Sequence, residues 1–257
     1  MSAHNYIVSI AGFDPSSGAG ITSDVQTFRA HGLYGLSVCT AVTVQNDVNF
    51  KSCQWVDTAL ILDQIDILFE RFTIPVVKIG IVSDWKVLLT IVEHLLAHNP
   101  EIRMVLDPVL KASAGFDFHQ EDEMAILEQV LEKITLLTPN EEELVALFPE
   151  KSLEETIAFI QKRTSLYHKG GHRKDKKGWD SLYLYQGGVQ LIPPGVDKIH
   201  EKHGSGCVLS AALASQIALG NTLQKAGAEA KTYVETFLNS HASMLGIQQQ
   251  VTPKVIV

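Results

Sequence analysis

Cysteine is scarce. Cys39, Cys53 and Cys207 are the only three in 257 residues. An odd number with no CxxC spacing leaves no basis for a disulfide framework or a structural zinc site, and the default compartment is a reducing cytoplasm. Basic residues are also in deficit: Lys+Arg 21 against Asp+Glu 29 leaves −8 at pH 7. That balance argues against general nucleic-acid binding, which needs a basic surface. It does not exclude a small anionic ligand, because backbone dipoles bind phosphate locally. No apolar run reaches the roughly 18 residues of a membrane span. The opening MSAHNYIVSIAGFDPSSG lacks the basic and apolar regions of a secretory signal. A GxxxxGK[ST] loop is absent and GxGxxG does not occur in register, so neither a P-loop nor a Rossmann dinucleotide site is supported. Internal repeats and long linkers are missing too, and residues 1–257 read as a single domain.

What is present is a 46% hydrophobic chain, enough for a large core. Strand-like apolar runs alternate with helix-like segments. Tyr6 to Ala11 reads as a buried strand, Gly12 to Gly20 as a turn, and Ile21 to His31 as a helix with Ile21, Val25 and Phe28 on one face. Further strands are expected at Gly35 to Val44, Pro75 to Ile79, Met104 to Leu106, Ile134 to Leu137 and Ser165 to His168. Further helices are expected at Thr58 to Phe72, Trp85 to His98, Glu121 to Glu132, Asn140 to Phe148 and beyond Gly204. Gly187-Gly188 between two apolar runs signals a hairpin. Lys111 to Gln120 and His172 to Gly178 read as mobile stretches. The rhythm predicts a mostly parallel sheet between helices, with an antiparallel hairpin near one edge.

Ligands bind such sheets beyond the carboxyl ends of the strands, and the chemistry-bearing segments fall there. His203-Gly204-Ser205-Gly206-Cys207 precedes a helix of small residues. Its glycines allow a tight curl with bare N–H groups at the positive end of the helix dipole. It is an anion site, with Cys207 expected as an accessible thiolate, or else a glycine loop and a small buried cysteine capping a core helix. Thr138-Pro139-Asn140-Glu141-Glu142-Glu143 is an N-cap with dipole-favoured acids, or a set in which Asn140 or Glu143 organises water and Mg²⁺ around a phosphate. Asp107, ending a buried strand, is a turn former or a carboxylate that meets a cation. Lys169, before Gly170-Gly171, is a surface lysine or a charge set beside a phosphate. Asp14 and Asp24 face a small polar substrate or decorate a helix start. Gln45 offers a donor and an acceptor to a heteroaromatic ring, or ends a polar strand.

In their order along the chain these segments resemble a known family. AGFDPSSGAGITSDVQTF begins at Ala11, TAVTVQN at Thr40, KIGI at Lys78, LDPVL at Leu106, TPNEEE at Thr138, KGGH at Lys169 and HGSGCVLSAALAS at His203. Together, from about Ile7 to about Gly246, they are similar to the hydroxymethylpyrimidine and phosphomethylpyrimidine kinases of thiamine biosynthesis, within the ribokinase-like superfamily. The resemblance implies a ribokinase-like three-layer α/β/α sandwich with a central mostly parallel sheet. It implies ATP-dependent phosphorylation of 4-amino-5-hydroxymethyl-2-methylpyrimidine, then of its monophosphate to the diphosphate, with ATP and Mg²⁺. It further implies a cytoplasmic homodimer whose partners are the pyrimidine and ATP, not nucleic acid or membrane.

Carried over by position, Gly12, Asp24 and Gln45 would contact the pyrimidine, while Val42, Ile81 and Val109 would line its pocket. Asp107, Asn140 and Glu143 would lie at the Mg²⁺–phosphate end, with Lys169 on the ATP phosphates. Gly204, Ser205 and Gly206 would form the anion hole and Cys207 would take the catalytic position. Phe13, Pro15, Ile81, Ser205 and Val208 depart from the residues usual in the family. Two other functions compete. Pyridoxal or pyridoxine kinase occurs on the same fold, but Gln45-Asn46 favours an aminopyrimidine. A non-catalytic pyrimidine or nucleotide sensor is opposed by Asp107, Lys169 and Cys207 occurring together.

Overall fold

A computed structural model describes residues 5–110, 124–171, 176–196 and 198–251. Among the described residues nine strands form one sheet: β1 (Tyr6–Phe13), β2 (Tyr34–Gln45), β3 (Phe50–Trp55), β4 (Val76–Ile79), β5 (Arg103–Leu106), β6 (Leu136–Leu137), β7 (Ser165–His168), β8 (Asp180–Tyr183) and β9 (Val189–Ile192). Their spatial order is β3-β2-β1-β4-β5-β6-β7-β8-β9. From β2 through β7 every pairing is parallel. The edges are antiparallel, β3 on β2 at one side and the β8–β9 hairpin at the other.

Helices cover both faces, as the α/β rhythm predicts. Helices α2 (Thr58–Phe69), α3 (Trp85–His98), α4 (Met124–Leu131), α5 (Glu141–Leu147) and α6 (Leu153–Gln161) lie on one side. Helices α1 (Gly20–Ala30), α7 (Ser205–Ala218) and α8 (Leu223–Leu238) lie on the other. The strands alternate between the two cores. Val8, Ile10, Val77, Ile79, Met104 and Leu106 meet the first helix set, while Ile7, Val76, Val105 and Leu136 meet the second. Successive side chains leave a strand on opposite faces, so strands covered on both sides must be apolar throughout. Helix α7 is buried from Val208 through Ile217, the behaviour of a helix apolar on all sides.

Two elements escaped the sequence reading. Strand β3 is polar and mostly exposed or half-buried, so it carries little hydrophobic signal. Helix α6 begins with a capping box, Ser152 accepting from the Glu155 N–H and Glu155 from the Ser152 N–H. That Ser-x-x-Glu pattern was the available cue. Strand β1 also runs on through Gly12 and Phe13 rather than turning at Gly12. The stretch Lys111 to Gln120, and residues 172–175 of the second expected mobile stretch, lie outside the described residues. Among the described residues no helix is long and apolar enough to cross a membrane.

Candidate active site

The carboxyl ends of β1, β4, β5, β6 and β7 deliver the predicted segments to one edge of the sheet, and the start of α7 joins them. Asp14 organises the loop after β1. Its Oδ1 accepts the Ser16 N–H at 2.8 Å and its Oδ2 the Ala19 N–H at 2.9 Å. The same Oδ2 meets His203 Nε2 at 2.8 Å, with both side chains buried. The loop after β1 is thus tied to the residue preceding the glycine turn of α7. Burial pushes the Asp14 carboxyl up, but its bonds from His203 and Ser16 outweigh that and hold it below the usual carboxylate range. Asp14 is therefore a brace between two loops.

Two glycines make this junction close. Gly204 caps α7 in the left-handed region, φ 73°, and a Cβ there would collide with the Gly18 carbonyl oxygen. Gly20, at φ 63°, would likewise strike the Gly12 carbonyl. Beyond Gly204, Ser205, Gly206 and Cys207 are half-buried. As the first turn of a helix, their N–H groups have no carbonyl within the helix to bond.

A cation chain runs beneath this turn. Lys169 Nζ lies 2.8 Å from Asp107 Oδ1 and 3.5 Å from Glu143 Oε2. A Cβ on Gly206 would be 3.4 Å from the same ammonium, so Lys169 sits against the glycine turn. Asp107 is 1% exposed and takes further bonds from Thr138 Oγ1 at 3.3 Å and Ser210 Oγ at 3.1 Å. Burial raises the Asp107 carboxyl, but Lys169, Lys78 and the bonds from Lys169 and Ser210 together outweigh it and hold the group below the usual carboxylate range, so it stays ionised. Glu143 goes the other way: burial and the nearby Asp107 charge push it above the usual range despite Lys169. Asn140 is an N-cap first. Its Oδ1 accepts the Glu143 N–H at 2.8 Å, and Glu143 Oε2 accepts the Asn140 N–H at 2.7 Å, a reciprocal cap worth about 1 kcal/mol.

Lys78 is the residue that the sequence reading quoted without giving it a role. It and Asp24 are both 0% exposed, paired at 2.8 Å, and Ser9 Oγ donates to the same Asp24 oxygen at 2.5 Å. Among the described residues, nothing hydrogen-bonds the buried Asp24 Oδ1. Burial opposes the charge on Lys78, but Asp24 with Cys207 and Asp107 hold it above the ordinary lysine range. The cue was a lysine inside the apolar run Val76–Ile79.

The expectation of a low thiol pKa at Cys207 is corrected. Its surroundings desolvate it, and although Lys78 and the Gly20 N–H favour the thiolate, Asp107 and Asp24 oppose it. The thiol is pushed up to about 11. The position at a helix start was read correctly, but burial among carboxylates outweighs the dipole. Cys207→Ser is then expected to lower turnover through altered packing and polarity at the start of α7. Single-turnover kinetics alongside titration calorimetry would show this, and unchanged turnover would remove Cys207 from the chemistry.

The remaining predicted residues lie toward or just past the carboxyl ends of β1, β2, β4 and β5. Gly12 is packed against Ile81, and Ile81 is held by Thr40 Oγ1 donating to its carbonyl at 2.6 Å. Val109 follows Asp107, bonding its N–H to the Asp107 carbonyl at 2.9 Å. Val42 and Gln45 belong to the end of β2 where it pairs with β3, Val42 opposite Phe13 on β1 and Gln45 opposite Phe50. Val42 is 47% exposed and Gln45 half-buried.

A mostly parallel sheet between two helix layers, with a glycine turn beside a lysine–carboxylate cluster at the strand ends, is the architecture of the ribokinase-like kinases. Residues 14–253 match the family described as phosphomethylpyrimidine kinase. The chain is 32% identical over 243 residues to the hydroxymethylpyrimidine/phosphomethylpyrimidine kinase of Rhizobium meliloti, covering 91% of this chain and 90% of the relative. The crystal structure of phosphomethylpyrimidine kinase from Clostridium difficile is 30% identical, with a TM-score of 0.74 over 89% of this chain and 97% of that one. Pyridoxal kinase from Staphylococcus aureus in complex with AMP-PCP shares the fold at 21% identity, with a TM-score of 0.80 over 92% of this chain and 89% of that one. The chain belongs to the phosphomethylpyrimidine kinase family.

Proposed function

We propose that this protein transfers the γ-phosphoryl group of ATP to 4-amino-5-hydroxymethyl-2-methylpyrimidine and then to its monophosphate. The observation that carries the reading is the placement of Lys169, held by Asp107 and Glu143, against the Gly204-Ser205-Gly206 turn with Cys207 next in line. Amides and an ammonium converge where negative charge would be transferred. A loose phosphoryl transition state needs positioned charge more than a strong base, which suits a Cys207 thiol that is not ionised at neutral pH. In this reading the Gly204–Cys207 amides hold the transferring oxygens and Lys169 meets the ATP phosphates. The substrate hydroxyl lies beside Cys207. Gly12, Asp24 and Gln45 read the ring, with Val42, Ile81 and Val109 around it.

Asp107 and Glu143 suit Mg²⁺ by donor chemistry: both offer hard carboxylate oxygens, and they lie side by side around Lys169. These two residues would hold the ion directly or through water near Asn140, where it would neutralise phosphate charge. A cavity of about 380 Å³ lined by Gly195, Val196, Glu235 and Asn239 lies away from this cluster but is linked to it. Glu235 accepts the Gly195 N–H and pairs with Lys231, Lys231 with Asp180, and Asp180 accepts the N–H of Gly170 beside Lys169. The reading includes one kinase domain over residues 1–257 and a cytoplasmic homodimer.

The test is ADP release measured side by side with hydroxymethylpyrimidine, its monophosphate and pyridoxal. Release with the first two supports the proposal. Release with pyridoxal alone moves the activity to vitamin B6, and release with none of them favours a sensor. Gln45→Ala is expected to raise the dissociation constant for hydroxymethylpyrimidine about tenfold, the effect of one lost hydrogen bond to a buried polar group, with little change in ATP affinity. Calorimetry showing unchanged pyrimidine binding would reject that contact.

A further inference from the structure

Away from the phosphate cluster, on the outer helix layer, three metal-ligating side chains converge. His94 and His98 lie four residues apart on α3, so both rings leave the same face. Each points Nε2 at Oδ1 of Asp66 on α2, both at 2.6 Å. The three donor atoms lie within 4.8 Å of one another. The rings meet edge-on, with centroids 5.0 Å apart at 83°. Phe69, one turn after Asp66, stacks on His98 with centroids 4.8 Å apart at 28°, which limits the swing of that ring. Asp66 keeps 43% of its side-chain exposure, and His94 and His98 keep 27% and 29%. The site is open to solvent and shares no residue with the proposed active site.

We propose that Asp66, His94 and His98 form a binding site for a divalent transition-metal ion of the zinc type. Two imidazole nitrogens and one carboxylate oxygen are borderline ligands that suit Zn²⁺ over Mg²⁺. Zn²⁺ takes such ligands at about 2.0–2.2 Å in a tetrahedron, whose ligand atoms lie roughly 3.4 Å apart, so each ring nitrogen would move out from its 2.6 Å contact with Asp66 to admit the ion. Three protein ligands leave a fourth position for water on the exposed side. The ligands come from two helices, so the ion would clip α2 to α3 and stabilise the folded state by mass action. Cysteine spacing could not reveal such a site, because it uses no cysteine.

The experiment is titration calorimetry of zinc chloride into the metal-stripped full-length protein and into the His94→Gln/His98→Gln variant. The wild type is expected to bind one ion more than the variant, or to bind it about 100-fold more tightly, since even outer-shell changes cost roughly 10–100-fold. Zinc should raise the melting temperature of the wild type but not of the variant. Zinc-free kinase turnover should be the same in both. Asp66→Asn provides a second variant that keeps both rings, and a tenfold or larger loss is expected there. Equal stoichiometry and affinity across all three proteins, or no zinc binding by the wild type, would overturn the site.

Discussion

Gly204→Ala is expected to cut turnover by roughly 100-fold or more, the scale of losing an oxyanion donor. The added methyl would meet the Gly18 carbonyl oxygen at a residue whose φ is +73°. Backbone on both sides leaves no flexible side chain to yield, and the left-handed conformation adds strain of its own. Either the loop after β1 or the start of α7 must shift, and both are parts of the proposed site. Gly206→Ala is the contrast. Its Cβ would sit 3.4 Å from the end of Lys169, a flexible group that can move, so the loss should be smaller. Steady-state kinetics on the two variants, with melting curves as a control for folding, would separate them. Equal and small effects would show that the turn does not hold the transferring group.

Lys169→Met should be costly in two independent ways. Lys169 is the ion partner of Asp107 and neighbours Glu143. Removing one member of a buried pair leaves an uncompensated charge and typically costs about 3–5 kcal/mol. Urea denaturation at neutral pH should show a loss of that order, and turnover should fall because the ammonium proposed to meet the ATP phosphates is gone. The pH dependence has a definite sign. In the wild type Lys169 depresses the Asp107 carboxyl, so its stabilisation is present above the unfolded carboxylate pKa of about 4 and is lost as pH falls below it. Without the lysine, burial would raise that pKa in the folded state, so the penalty would shrink as pH falls and the group protonates. The stability gap between the two proteins should narrow toward about pH 4. Adding Asp107→Asn to Lys169→Met should recover stability at neutral pH without recovering turnover. A gap that stays constant with pH would mean the pair is not what holds this corner.

The chain's local patterns carried much of this picture. Asp107, Asn140 and Lys169 each follow an apolar strand, so their place at the strand ends could be read from the alternation of buried runs and turns. The His203–Cys207 turn was legible because glycines before a small-residue helix are a local signature. Strand β3 was not, since an edge strand exposed along much of its length needs no apolar period. The partner of a buried charge was also out of reach. Lys78 is 54 residues from Asp24 and His203 is 189 from Asp14, and nothing in the spacing pairs them. The thiol of Cys207 shows the same limit. Its helix-start position is local, but its pKa is set by desolvation and by the charges of Lys78 on β4, Asp107 just after β5 and Asp24 on α1.

Sequence alone therefore determined the order of strands and helices apart from β3 and α6, and the residue types at the strand ends, because both depend on neighbours along the chain. Tertiary structure decided which charges pair, which way Cys207 titrates, and that Asp66 meets His94 and His98, because proximity across the fold and loss of water arise only when the sheet and its two helix layers close on one another.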